Sequence, residues 1–280
     1  MDSASIQLAS PPPPCSILEV TFPAPFVMLV TINREKQMNS IPMAGHWEGD
    51  ALWNWYDGEP QLRVAVLTGK GKKSFCAGAD LMEQNMNKNK PKDPASQRMP
   101  AGSFLGVSRR LGKKPIIAAV NGYAFGGGFE ISLNCDMVIA SPTASFSLPE
   151  AKRGLYAGAG GLPRIVRTFG LQLGTEMALT GRTYAATELQ KYGFCRVASS
   201  QETLMDEALA LAEEIASLSP DAVIVSRAGV REAWETGSVE RAAQKTQEKY
   251  AQKLLEGENM RIGLEAFAKK QKPKWVPSKL

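Results

Sequence analysis

The sequence predicts an α/β core with parallel strands, followed without an obvious linker by a region dominated by helices. Three observations lead there. Short apolar runs at 64–68 (VAVLT), 115–120 (PIIAAV) and 136–140 (DMVIA) have no polar face, which marks strands covered on both sides. Helical patterns and turns separate these runs, the alternation of a sheet wrapped by helices. From about residue 171 onward, apolar residues recur every three or four positions and helices take over.

The elements follow in order. Residues 16–22 and 26–33 read as two strands joined by a turn bounded by Pro23 and Pro25. A helix is expected over 43–56, then the strand at 64–68, then a loop and helix around Gly78-Ala79-Asp80. Residues 85–100 are polar and broken by prolines, the composition of a mobile surface loop. The strands at 115–120 and 136–140 come next. Helices are then expected over 202–218, 221–236, 239–255 and 262–270. The first of these places Leu204, Met205, Ala208, Leu211, Ala212 and Ile215 at helical spacing.

The 280 residues are 44% hydrophobic and 22% charged, enough to bury a sizeable core, and no apolar run approaches the length of a membrane span. The net charge of +5 is spread along the chain with no nucleic-acid-binding motif, which suits a solvated surface or a site for a small polyanion and speaks against a nucleic-acid partner. Four separated cysteines exclude a CxxC cluster and fit a reducing compartment. The one histidine, His46, lies in an apolar-periodic helical stretch and reads as a surface or core residue. Any catalysis falls to carboxylates, thiols, lysines or backbone amides, and no metal site is expected. Residues 1–14 are Ser/Pro-rich and read as a flexible tail. The last three residues, Ser278-Lys279-Leu280, match the peroxisomal import tripeptide and follow an extended segment where a receptor could reach them.

Three segments carry chemistry. Residues 121–130 (NGYAFGGGFE) follow a buried strand and open a helix, so consecutive glycines and a helix start expose backbone N–H donors. The Walker and dinucleotide glycine spacings are absent. Two readings stay open from the glycines: donors aimed at a developing oxyanion, or a tight packing turn. Residues 74–80 (SFCAGAD) present a second cluster of small residues after a strand, with Cys76 better read as packing than as a nucleophile. Residues 146–150 (FSLPE) end in a glutamate held beside a proline and are followed by a glycine-rich loop, Gly158-Ala-Gly-Gly161.

In this order and spacing the three segments resemble the enoyl-CoA hydratase/isomerase (crotonase) family, in a peroxisomal fungal type, from about residue 26 to 273. Glu130 and Glu150 lie 20 residues apart, the family's hydratase spacing. The resemblance implies a spiral of ββα units over 15–200, a helical trimerisation region over 201–271 and a tail over 272–280, assembled as a homotrimer or hexamer. It implies that the backbone N–H groups of Ala79 and Gly127 form the oxyanion hole for a thioester. In hydration, Glu130 acts as base toward water and Glu150 delivers a proton to the α-carbon; in dehydration the roles reverse. Gly158 would help hold the water. Coenzyme A would lie near Lys36, Ala77, Ala79 and Asp80, with Lys270 toward its phosphates, and no cofactor beyond the substrate's CoA is implied.

The chain departs from the family pattern at Leu155-Tyr156-Ala157, where Ile-Pro is common, and at Gln271, where arginine is commoner. Tyr156 adds bulk and a hydroxyl to the acyl pocket. With Lys152-Arg153 it is similar to the carnitinyl-CoA dehydratase-like branch. The resemblance therefore implies an acyl-CoA hydratase or dehydratase. Its substrate is a simple enoyl-CoA, or a branched or charged acyl-CoA of the carnitinyl kind or of siderophore or toxin synthesis. Isomerisation ranks below these because both glutamates are kept.

Overall fold

A computed structural model of the chain describes residues 7–86 and 98–280. A six-stranded sheet runs in the order β1 (Leu18–Ala24), β2 (Val27–Ile32), β3 (Val64–Gly69), β5 (Ile116–Val120), β7 (Met137–Ala140) and β10 (Arg196–Val197). Within this sheet, among the described residues, only the β1/β2 pair is antiparallel. A second sheet holds four three-residue strands: β4 (Ser74–Cys76), β6 (Tyr123–Phe125), β8 (Ser145–Ser147) and β9 (Thr183–Ala185). Each central strand of the first sheet thus hands the chain to a short strand of the second. Helix α2 (Leu81–Met86) follows the first such pair, helix α3 (Gly127–Asn134) the second and a 3-10 turn (Pro149–Arg153) the third. The repeated unit is a ββα turn, stacked as a spiral.

Strand periodicity explains why the central strands lack a polar face. Val64 and Val66 of β3, with Ile117 and Ala119 of β5, pack against Leu204, Ala208, Ala212 and Ala216 of helix α7 (Leu204–Ala216). The alternate residues, Ala65, Leu67, Ile116, Ala118 and Val120, face the main core with Trp53, Tyr56 and Phe129. Both faces are dry, as parallel sheets require. Two buried asparagines lock the turn between β3 and β4: Asn121 Nδ2 donates to Gly69 and Gly71 carbonyls at 2.9 and 2.7 Å, and Asn39 Nδ2 to that of Ser74 at 2.7 Å.

Several expectations shift. The turn expected at Pro23–Pro25 is later and tighter. β1 runs through Pro23 to Ala24, and Phe26 takes φ 65°, because an edge strand tolerates a proline whose missing N–H faces no partner. The expected loop at 85–100 falls mainly on 87–97, outside the described residues; 85 and 86 close α2. Three-residue strands carry too little pattern to be seen, and β4, β6, β8 and β9 went unanticipated. So did the helix α4 (Gly161–Phe169). Helix α5 (Leu171–Thr180) begins where the helical pattern does, and the short helix α6 (Ala186–Leu189) comes after β9. Residues 1–6 of the expected flexible tail lie outside the described residues. From residue 7 the chain lies on the helix α1 (Met43–Gly58), where Trp55 Nε1 donates to Ser10 Oγ at 3.0 Å and Glu59 Oε2 accepts from the Ala9 amide at 3.0 Å.

The helical part divides where the sequence did not. α7 belongs to the sheet's covering, whereas α8 (Pro220–Glu235), α9 (Val239–Leu255) and α10 (Glu258–Ala268) stand beyond it. The tail after α10 is extended but docked rather than free. Asn259 pairs with both backbone groups of Val276, Trp275 Nε1 donates to the Ser217 carbonyl at 2.9 Å, and Lys113 Nζ to that of Leu280 at 2.7 Å. Among the described residues no helix is long and apolar enough to cross a membrane.

Candidate active site

Two chain reversals at the second sheet bring backbone donors together. After β4 the chain forms a single parallel bridge with Ile41: the Ile41 amide donates to the Gly78 carbonyl at 2.9 Å, and the Asp80 amide to the Ile41 carbonyl at 3.0 Å. Parallel pairing alternates direction, so the Ala79 N–H between them faces away from Ile41. After β6 the chain turns at Gly126, φ 54°, into α3. Gly127 is the first residue of that helix, and its N–H has no intrahelical acceptor. The two turns touch, since a Cβ on Gly78 would lie 3.5 Å from the Gly127 nitrogen.

A cover lies over this pair. The Phe104 ring rests against Gly127, where any Cβ would come within 2.5 Å of it. Phe104 is delivered by an unusual backbone, with φ of 59° at Ser103 and 52° at Leu105. Helix α1 over-determines that turn. His46 Nδ1 accepts from the Leu105 amide at 3.1 Å and Trp53 Nε1 donates to the Leu105 carbonyl at 3.0 Å. His46 is therefore a buried acceptor, and desolvation lowers its pKa to about 4. Its role escaped the sequence because its partner lies 59 residues away.

The carboxylates arrive from two further elements. Glu130 stands one turn into α3 and is 3% exposed. Its Oε1 accepts from the Gly161 amide at 2.8 Å. Burial, reinforced by the charge of Glu150, pushes its pKa up to about 7 against the pull of the Gly161 and Ala159 amides and Arg164. Glu150 follows Pro149 in the 3-10 turn after β8, and the Gly126 amide donates to Ser147 of that strand at 2.9 Å, tying the turn to the start of α3. Burial raises the Glu150 pKa, and its Oε2 is buried without a partner. The fold thus gathers Ala79, Gly127, Glu130 and Glu150 around the N-terminus of α3.

Other expected site residues sit differently. Gly158 is exposed under the Tyr156 ring, 3.1 Å from the place of a Cβ, and the amide on Glu130 belongs to Gly161. Gly161 admits no side chain, as a Cβ would stand 2.7 Å from Glu130 Cγ. Tyr156, expected in the acyl pocket, is 76% exposed to solvent. The Ala77 amide donates to the Met38 carbonyl at 3.1 Å, which sets exposed Lys36 on the adjoining turn. Asp80 is committed elsewhere: one oxygen pairs with Arg34 at 2.9 Å, and the other accepts from the Met82 and Glu83 amides that open α2. Its carboxylate fixes the Ala79 turn instead of facing a ligand, and its partner Arg34 is not marked by any motif. Lys270 is exposed just after the end of α10. Cys76 is buried with its thiol pushed up to about 12, which suits packing.

Comparison with known proteins places the chain in a family. Residues 25–277 match the model for enoyl-CoA hydratase/isomerase. The mevalonyl-coenzyme A hydratase of Aspergillus fumigatus is 45% identical over 262 residues, 93% of this chain and 95% of that protein. The carnitinyl-CoA dehydratase of Proteus mirabilis is 36% identical over 253 residues, 89% of this chain and 94% of that protein. The crystal structure of an enoyl-CoA hydratase from Bacillus anthracis superposes with a TM-score of 0.84 at 31% identity, covering 94% of this chain and all of that one. The chain belongs to the enoyl-CoA hydratase/isomerase family.

Proposed function

We propose that this enzyme removes water from, or adds it to, an acyl-CoA thioester at the α,β-carbons, with Glu130 and Glu150 as the proton-transfer pair. One observation carries the reading. Two carboxyl groups whose pKa values are raised by burial stand by the start of α3, whose first amide has no acceptor within the helix. In elimination, the thioester oxygen accepts from the Ala79 and Gly127 N–H groups as negative charge builds on it. The loss of one such donor costs about 3 kcal/mol of barrier in comparable sites. Glu150, ionised, takes the α-proton. The electron pair held in the enolate then forms the double bond as the β-carbon–oxygen bond breaks, and the Glu130 proton leaves with the hydroxyl as water. Hydration runs the same steps backward. A Glu130 pKa of about 7 leaves acid and base forms both populated near neutrality, so the group can give a proton in elimination or take one in hydration.

A branched, hydroxylated acyl group is the favoured substrate class. The Aspergillus relative is named for mevalonyl-CoA and the Proteus relative for carnitinyl-CoA. The CoA portion would lie along the Lys36 turn and the Ala77–Ala79 edge, with no cofactor besides, and Lys270 would reach its phosphates from a neighbouring subunit. Val230, Val239, Leu255 and Phe267 stand exposed on the outer helices and support assembly into a homotrimer or hexamer. The Ser278-Lys279-Leu280 sequence supports recognition by a peroxisomal import receptor and residence in the peroxisome, with the end leaving its docked position on Asp221 and Lys113 to be read.

The test is turnover of a panel of 3-hydroxyacyl-CoA and enoyl-CoA thioesters by the purified protein. Branched hydroxyacyl-CoA is expected to react well above crotonyl-CoA. Wild-type rates in Glu150→Gln would sink the two-carboxylate mechanism.

A further inference from the structure

Glu130 reaches the Gly161 amide, and the other end of that same peptide unit is also held. The Gly160 carbonyl accepts from Arg164 Nη1 at 2.8 Å, while the Gly161 N–H donates to Glu130 Oε1 at 2.8 Å. Arg164 is anchored in turn, its Nε donating to Asn134 Oδ1 at 3.0 Å. Asn134 lies on α3 one helical turn beyond Glu130, so the ring closes on the helix that carries the carboxylate. Asn134 is fixed as well: its Nδ2 donates to the Val107 carbonyl at 2.7 Å, and its Oδ1 also accepts from Arg231 Nη1 of α8 at 2.9 Å. The preceding peptide is clamped separately by buried Ser108, whose Oγ donates to the Ala159 carbonyl at 2.8 Å.

We propose that Arg164 is a positioning residue for Glu130, acting through the Gly160–Gly161 peptide. A guanidinium on the carbonyl polarises the peptide and strengthens the N–H donor at its far end, since hydrogen bonds in a chain reinforce one another. It also fixes the peptide plane, and with it the oxygen of Glu130 that stays bound while the other is left for chemistry. A cation held in place here favours the ionised carboxyl and limits how far burial raises its affinity for a proton. The charged groups around the pair are Glu150 beside Glu130, Arg109 against Gly160, and Arg231 and Glu235 about Arg164. Arg231 is itself paired with Asp136 at 2.8 Å. This role rests on the proposed use of Glu130 in proton transfer.

The experiment compares wild type, Arg164→Met and Arg164→Lys by the pH profile of kcat and KM, and by the Glu130 carboxyl titration, followed by infrared difference against Glu130→Gln. Arg164→Met is expected to lower kcat about tenfold with KM nearly unchanged, the scale of one lost charge-assisted hydrogen bond. The Glu130 titration should move up by about half a pH unit or more. Arg164→Lys keeps the charge but cannot serve Gly160 and Asn134 together, so it should fall between. It is also the variant to read if the methionine chain does not fold. A lowered Tm with unchanged Glu130 titration and kcat would assign Arg164 to stability alone and overturn the proposal. Should the wild type turn over no acyl-CoA, the activity reading fails, while the infrared titration still decides whether Arg164 acts on Glu130.

Discussion

A Cβ on Gly126 would stand 2.9 Å from Glu150 Oε1, so the glutamate occupies the space that a side chain at this glycine would take. Gly126 also holds φ 54° with ψ −123°, outside the left-handed helical region, a strained conformation that costs an alanine about 1–3 kcal/mol. Gly126→Ala therefore strains the turn that delivers the Gly127 donor and displaces the carboxylate beside it. A loss of activity well beyond tenfold is expected with a drop of only about 1–3 kcal/mol in denaturant stability. Preserved activity in the folded variant would show that Glu150 does not work from where it is seen.

Glu130 is destabilised by its own burial, and the sign can be followed through pH. Its folded pKa of about 7 lies above the ordinary 4.5 of a glutamate, so between those pH values the folded state holds the proton that the unfolded chain has released. Stability from this group falls as pH rises through that window and is flat on either side. Glu130→Gln keeps an acceptor for the Gly161 amide and removes the titration. It is expected to match wild type near pH 4 and to exceed it by about 1–3 kcal/mol above pH 7. Urea titrations at several pH values read this directly, and a constant difference across pH would contradict it.

His46 has the opposite slope. Its pKa is lowered from 6.5 to about 4, so as pH falls through that range the unfolded chain gains a proton that the folded state refuses. Stability is lost toward acid, by up to about 3 kcal/mol once pH is below both values. His46→Asn offers an oxygen to the Leu105 amide without titrating, and should flatten this part of the profile. An unchanged acid slope would mean that His46 is protonated in the fold and that its Nδ1 accepts nothing. Because Glu130 and His46 slope in opposite directions over overlapping windows, only the single variants separate them.

The sequence made the site legible wherever a motif was local. Small residues at 76–80, glycines at 126–128 and the Pro149-Glu150 step each carry a turn in a few adjacent letters, and each sits where a donor or carboxylate is needed. The central strands were readable for a similar reason, since burial on both faces leaves no polar letters. What stayed hidden depends on long sequence separation. Nothing near His46 announces Leu105, and nothing near Asp80 announces Arg34, 46 residues earlier, so a carboxylate beside the donors read as a ligand contact. Gly158 and Gly161 look alike in the chain. Only the packing of α4 against α3 decides which amide meets Glu130.

Asn259 and Asp221 hold the end of the chain, and their burial makes the hold specific. Asn259 is 2% exposed and gives both sides of its amide to Val276, at 3.0 and 3.1 Å. Asp221, 6% exposed, accepts from Asn259 at 2.8 Å and from the Ser278 hydroxyl. Asn259→Ala removes both bonds to the Val276 backbone and leaves Asp221 short of a donor, a change of about 1–3 kcal/mol confined to the tail. Carboxypeptidase should then trim the last residues of the variant at least about tenfold faster than those of wild type, since trimming follows the population of the undocked tail. The melting of the core should move little, because the sheet and its covering helix α7 do not depend on these contacts. Equal trimming rates would mean that the tail is released as readily with Asn259 as without it, and the pairing with Val276 would then hold nothing.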